Sequence, residues 1–112
     1  MPSTFGIYNA GMGAFSINSS CTLNTTPAWN AHFGPDGAVL TGDDTPRSGI
    51  TIANGVVYVS NYSGKTTFAF DAISGAQLWS APLSDYGIVG PVVVNGHLYV
   101  GDLGGSIHAW KP

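Results

Sequence analysis

The sequence predicts an all-β chain: a partial β-propeller of about two and two-thirds four-stranded antiparallel blades. Three observations lead there. Only 8% of the 112 residues are charged, all six acids are Asp, and 16 residues are Gly and 7 are Pro. A chain without Glu and with about twice the usual share of Gly has little from which to build a long surface helix. Next, Ala53-Asn-Gly-Val-Val-Tyr-Val59 returns as Val94-Asn-Gly-His-Leu-Tyr-Val100, 41 residues on. Finally, each period reads as short β-branched and aromatic runs bounded by Gly, Asn, Asp and Ser, which is strand–turn–strand chemistry. Four strands per roughly 40 residues, repeated, is the pattern of a propeller blade. A β-sandwich accounts for the turn spacing but gives no reason for the echo.

Taken in order, residues 1–47 form a degraded partial blade with a connecting loop. Strands are expected around 5–7, 13–17 and 28–31, with a surface loop rich in Gly, Asp and Pro from 33 to 48. Residues 48–87 form a complete blade, with strands at 50–53, 56–59, 66–70 and 77–80. Residues 88–112 form a three-stranded blade that lacks its outer strand, with strands at 88–94, 98–101 and 106–110. Asn54-Gly55 and Asn95-Gly96 supply the positive φ angles of a two-residue hairpin turn. Ser63-Gly64, Gly104-Gly105 and Ser74-Gly75 are expected to do the same for the other hairpins. Phe68-Ala69-Phe70 reappears as His108-Ala109-Trp110 at an offset of 40, one residue having been lost from a hairpin. In the front copy Gly11 aligns with Gly64, and Phe15-Ser16-Ile17-Asn18 with Phe68-Ala69-Phe70-Asp71, so that Ser16 stands at the Ala69 position.

Composition also excludes partners. With three basic residues and a formal charge of -3, the chain lacks the patch that neutralises phosphates on nucleic acid or anionic lipid. No window approaches the 18 or so apolar residues of a membrane span. Cys21 is alone, so no intrachain disulfide and no multi-cysteine metal site can form. The start shows no secretory signal. Fewer than three blades cannot close a ring of the usual four to eight. A piece of a longer propeller is therefore expected, with a homo-oligomer of several copies as the alternative.

Residues Ala69-Phe-Asp-Ala-Ile-Ser-Gly-Ala-Gln-Leu-Trp79 resemble the tryptophan-docking motif of the pyrroloquinoline quinone (PQQ)-like β-propeller repeat family. The flanking Gly-Val-Val-Tyr-Val-Ser and Gly90-Pro-Val-Val-Val-Asn-Gly match that family's strands. The resemblance implies that Trp79 docks flat against Ala69 and a glycine of the neighbouring blade. It makes Asp71 the head of the docking loop, Gly75 the residue that leaves room for the ring, and Ala109 the counterpart of Ala69 in the third copy. Trp29 corresponds to Trp79 in the front copy, where the glycine is lost around Cys21. The third copy has Lys111-Pro112 in place of the Asp-led loop. The resemblance further implies a place in the periplasm, the cell envelope or outside the cell.

Many relatives with this motif are quinoprotein dehydrogenases, in which PQQ is held by a Trp platform, a disulfide of neighbouring cysteines and calcium ligated by Glu, Asn and Asp. Here Cys21 has no partner, Glu is absent and the catalytic Asp has no counterpart, Asp71 heading the docking loop and Asp102 lying at a hairpin. The favoured reading is thus a non-catalytic scaffold or protein-binding segment with no cofactor. Its partner is a protein or the remaining blades of the same propeller, and Tyr62, Asp85 and Tyr86 lie in predicted loops, where contact residues concentrate. The alternative is the C-terminal part of a PQQ-dependent alcohol dehydrogenase, using PQQ and calcium with catalytic residues upstream. A calcium-dependent carbohydrate binder ranks third.

The remaining motifs read blandly. Asp36, Asp43 and Asp44 lack the Asp-x-Asp-x-Asp-Gly spacing of a calcium loop. Ser63-Gly-Lys-Thr66 lacks the upstream glycine of a phosphate loop. His32, His97 and His108 pair with no nucleophile at a recognisable spacing, and His97 and His108 replace a Val and a Phe of the preceding repeat, which puts them on strand faces. Asn18, Asn24 and Asn61 head Asn-x-Ser/Thr sequons, which chance supplies in a chain this rich in Ser and Thr.

Overall fold

The Asn-Gly pairs set the hairpins. Asn54 and Gly55 take φ of 52° and 76°, and Asn95 and Gly96 take 52° and 75°, the left-handed values that a two-residue turn requires of both central residues. The structure, a computed structural model, describes residues 11–32, 48–62 and 64–111. Within them the chain forms three antiparallel sheets and no helix. The first pairs β1 (Gly11–Ala14) with β2 (Trp29–His32). The second runs β3 (Thr51–Ala53), β4 (Val56–Ser60), β5 (Thr66–Asp71) and β6 (Gln77–Pro82), each strand beside its sequence neighbour. The third runs β7 (Val92–Val94), β8 (His97–Gly101) and β9 (Ile107–Trp110).

Alternation in the middle sheet explains why β4 is buried along almost its whole length. Val57 and Val59 face the first sheet and join Phe70 and Ala31 in one core. Tyr58 and Ala69 point the other way and join Leu83, Leu98 and Val100 in a second. The middle sheet is therefore covered on both faces, and its period of two sorts residues between two neighbours rather than between core and solvent. At one edge β3 and β7 approach each other, Thr51 Oγ1 donating to the carbonyl of Pro91. Beside them Gly49 and Gly90 are neighbours, and a Cβ on Gly90 would sit in ordinary contact with Gly49, 3.5 Å from its Cα. Sheets stacked face to face with their first strands converging is the arrangement of propeller blades.

Three expectations need correction. In the first sheet Ala14 pairs with Trp29 as Ala69 pairs with Trp79. Ala14, not Ser16, is thus the counterpart of Ala69. The register is anchored by the tryptophan-bearing strand, and the surplus residues sit in the loop after β1. That loop is closed by a bridge between Ile17 and Leu23 and by Asn18 Oδ1, which accepts the amides of Ser20 and Thr22. The first strand of the third sheet starts at Val92 rather than at 88, because Pro91 has no N–H to give a ladder. In the expected two-residue turns, Lys65 rather than Gly64 takes the positive φ, 51°, and of Gly104-Gly105 and Ser74-Gly75 only Gly105 and Gly75 do. The strand expected at 5–7 and the Asp36, Asp43 and Asp44 loop lie outside the described residues.

Candidate protein-contact site

The three predicted contact residues converge where the second and third sheets meet. Two hairpins form the base. In the turn after β4, Asn61 is buried and its Oδ1 accepts the amide of Thr66 at 2.9 Å. One repeat later, Asp102 is buried in the same position, and its Oδ1 accepts the amides of Gly104 and Ser106, both at 3.1 Å. The connection from β6 to β7 lies between these hairpins and is tied to both. Leu83 N donates to Lys65 O at 2.7 Å and Leu103 N to Tyr86 O at 2.9 Å, while Ser84 N donates to Asp102 Oδ2 at 3.1 Å. Gly87 is needed where the connection crosses β4, since a Cβ there would lie 2.8 Å from the Asn61 carbonyl oxygen.

This frame presents an aromatic pair. Tyr62 and Tyr86 stack with ring centroids 4.5 Å apart and planes 20° from parallel. Lys65 Nζ lies 5.0 Å from the centroid of Tyr86, within the range at which a cation is attracted to a ring face. Asp85 accepts the amide of Tyr86 at 2.8 Å and holds its carboxylate close over Gly104, where a Cβ would meet Oδ2 at 2.9 Å. All four side chains belong to turns rather than strands, and Leu103 beside them is half exposed. Stacked tyrosines held by a rigid frame offer a large contact area at little cost in side-chain entropy.

Below the pair lies a Ser–His–Asp cluster that the sequence reading missed as a set. His108 Nε2 is 2.8 Å from Asp102 Oδ2 and 3.1 Å from Ser84 Oγ. A hydrolytic triad needs the acid on one ring nitrogen and the serine on the other, so that the second nitrogen is free to take the serine proton. Here both partners share Nε2. The cluster therefore fastens the connection instead of activating Ser84. The His108 hydrogen bond is the largest influence holding the Asp102 carboxyl down at about 2, with the Ser106 and Ser84 groups adding to it against the opposing effect of burial. One signal was legible: Asp102 replaces Asn61 and His108 replaces Phe68 in the same repeat, a paired departure.

The residues expected to dock lie elsewhere, around the turn between β5 and β6 and on β9. Asp71 Oδ1 accepts the amides of Ile73 at 2.9 Å and Ser74 at 2.8 Å, and those bonds, Ser74 first, lower its pKa. Gly75 follows at φ 77°, and the indole that covers it is Trp29 of the first sheet: a Cβ on Gly75 would lie 2.5 Å from Trp29 Cδ2. Trp29 Nε1 donates to the Ala72 carbonyl at 3.0 Å. Trp79 stands across from Ala69 in the ladder and meets Trp110 of the third sheet edge-on, 5.2 Å between centroids at 73°. Ala109, on β9, is exposed.

As to cofactors, no three His, Cys, Asp or Glu residues converge among the described residues, Cys21 is exposed and single, and the Asp102 carboxylate is fully engaged by its neighbours. These described residues do not fit a calcium–quinone site. No described helix is long and apolar enough to cross a membrane.

Known proteins align with this geometry. The chain is 32% identical over 104 residues, 92% of its length, to the outer membrane protein assembly factor BamB of Taylorella asinigenitalis (strain MCE3). Two solved structures share the fold: BamB from Moraxella catarrhalis, at a TM-score of 0.60 with 20% identity over 96% of this chain, and a europium-containing methanol dehydrogenase, at 0.61 with 18% identity over 90%. The chain is thus similar in sequence to BamB and in fold to BamB and the methanol dehydrogenase, both PQQ-like β-propeller repeat proteins. No family model matches it. The chain spans 23% of the length of its BamB relative, and 29% and 21% of the two solved chains, so what it shares with these PQQ-like propellers is a segment of the ring.

Proposed function

We propose that this segment is a non-catalytic part of a longer PQQ-like propeller and acts as a protein-binding scaffold in the cell envelope. The observation that carries the reading is the Tyr62–Tyr86 stack, flanked by Lys65 and Asp85 and fixed by main-chain bonds to two blades at once. The relative named outer membrane protein assembly factor supports both the class of role and the compartment. In this reading the blades are residues 1–47, 48–87 and 88–112. Ala69, Asp71, Gly75, Trp79 and Ala109 are tryptophan-docking positions that join blade to blade and carry no chemistry.

A photo-crosslinking residue placed at Tyr62, at Tyr86 or at Ser20, far from the stack, tests the assignment in cells that make the full-length protein. The expected result is a discrete adduct with one other polypeptide from both tyrosine positions and none from Ser20. Absence of an adduct at either tyrosine overturns the contact site. The second reading, a piece of a quinoprotein dehydrogenase, is supported by fold likeness to the methanol dehydrogenase alone. It requires the full-length protein, given PQQ and calcium, to reduce a dye at the expense of an alcohol.

A further inference from the structure

Of the two charges beside the tyrosine stack, one is engaged and the other is not. Asp85 Oδ1 accepts the amide of Tyr86 at 2.8 Å, and the carboxylate lies against the Gly104 hairpin. Lys65 Nζ sits 5.0 Å from the Tyr86 ring centroid, and no described carboxylate is within ion-pair distance of it; among the described residues the ion pair is His108 with Asp102. Lys65 is partly buried, so the fold draws an ammonium out of water onto an aromatic ring and leaves it without a counter-charge.

The backbone holds that side chain in place against a local preference. Lys65 takes a φ of 51°, and one repeat on its position is filled by Gly105 at φ 91°, 40 residues away as His108 is from Phe68. Glycine adopts this conformation freely, whereas a lysine in it carries strain of the kind that collects at ligand contacts. The preceding Gly64 cannot bear a side chain, because Asn61 fills the space where its Cβ would stand. Of these two turn residues, only 65 can bring a charge to the tyrosines.

We propose that the polypeptide bound at the Tyr62–Tyr86 face presents an acidic side chain beside an apolar one, its carboxylate on Lys65 Nζ and its apolar group on the tyrosines and Leu103, which is 52% exposed. This inference rests on the contact reading above and adds the chemistry of the partner. A carboxylate completes the ammonium that the fold leaves unpaired through a charge-assisted hydrogen bond. A basic segment meets Lys65 with like charge, and Asp85 is already bonded to the main chain.

The test uses the full-length protein in cells, with a photo-crosslinking residue at Leu103 so that both tyrosines and Lys65 stay intact. Adduct yield is compared for native Lys65, Lys65→Arg, Lys65→Gly and Lys65→Glu. Lys65→Gly places the residue of the third hairpin at the same positive φ and should fold as well as the native protein, which a thermal melt checks. The expected result is a discrete adduct that Lys65→Arg keeps, that Lys65→Gly weakens about threefold to fivefold, as for a partly exposed ion pair, and that Lys65→Glu weakens roughly tenfold or more through like-charge contact. A yield from Lys65→Glu no lower than that from Lys65→Gly, or equal yields from Lys65→Gly and native Lys65, overturns the acidic partner and leaves the contact face standing. Absence of an adduct with native Lys65 overturns the contact face and this inference with it.

Discussion

Trp29 lies across Gly75, its indole N–H bound to the Ala72 carbonyl at 3.0 Å, and so clamps the first sheet onto the turn between β5 and β6 of the second. The contact exists because Gly75 has no Cβ and can hold a φ of 77°. Gly75→Ala would meet both obstacles, a left-handed backbone costing about 1–2 kcal/mol and a methyl 2.5 Å from the ring. Trp29→Ala should cost about 3 kcal/mol through lost packing. Because the clash disappears with the indole, the two changes should be non-additive: Gly75→Ala costs less in the Trp29→Ala background. Urea unfolding of the four proteins checks this, and simple additivity would show that the ring does not rest on Gly75.

Ser60 and Thr67 face each other across β4 and β5 with hydroxyls 2.9 Å apart and no solvent exposure. Thr67→Val strands the Ser60 hydroxyl and should cost about 1–3 kcal/mol, whereas pairing it with Ser60→Ala should recover much of the loss, because two apolar groups leave nothing unsatisfied. Equilibrium denaturation of the single and double variants measures it.

Asp102 predicts an acid transition. Its folded-state pKa is depressed from 3.8 to about 2, so the ionised carboxyl stabilises the fold above pH 3.8, and that contribution is lost as pH falls through about 2. Urea midpoints of the chain should fall between pH 4 and pH 2, and Asp102→Asn should flatten that fall while lowering the midpoint at pH 5. An equal acid response in the variant would mean that other carboxylates govern it.

Adjacent residues of β8 should respond oppositely. Leu98 is 1% exposed between two blades, so Leu98→Ala is expected to cost about 2–5 kcal/mol. Tyr99, on the uncovered face, should cost less than about 1 kcal/mol when changed to Ala. Thermal melts of both variants decide it, and a large loss at Tyr99 would mean that the third sheet's outer face is covered in solution.

The sequence by itself determined the all-β class, the repeat and the hairpins, because Asn-Gly turns and alternating β-branched runs act locally, through φ preference and a side-chain period of two. It also placed Tyr62, Asp85 and Tyr86 in turns. Tertiary structure alone decided which residues meet across blades. The register of the first sheet followed Trp29 rather than the glycine alignment, since ladder pairing is set by what the strand packs against. Trp29 of the first sheet came to cover Gly75 of the second, a contact between residues far apart in the sequence. Ser84, Asp102 and His108 came together because the link between blades runs across a hairpin, a contact between residues 18 to 24 positions apart that no local pattern encodes.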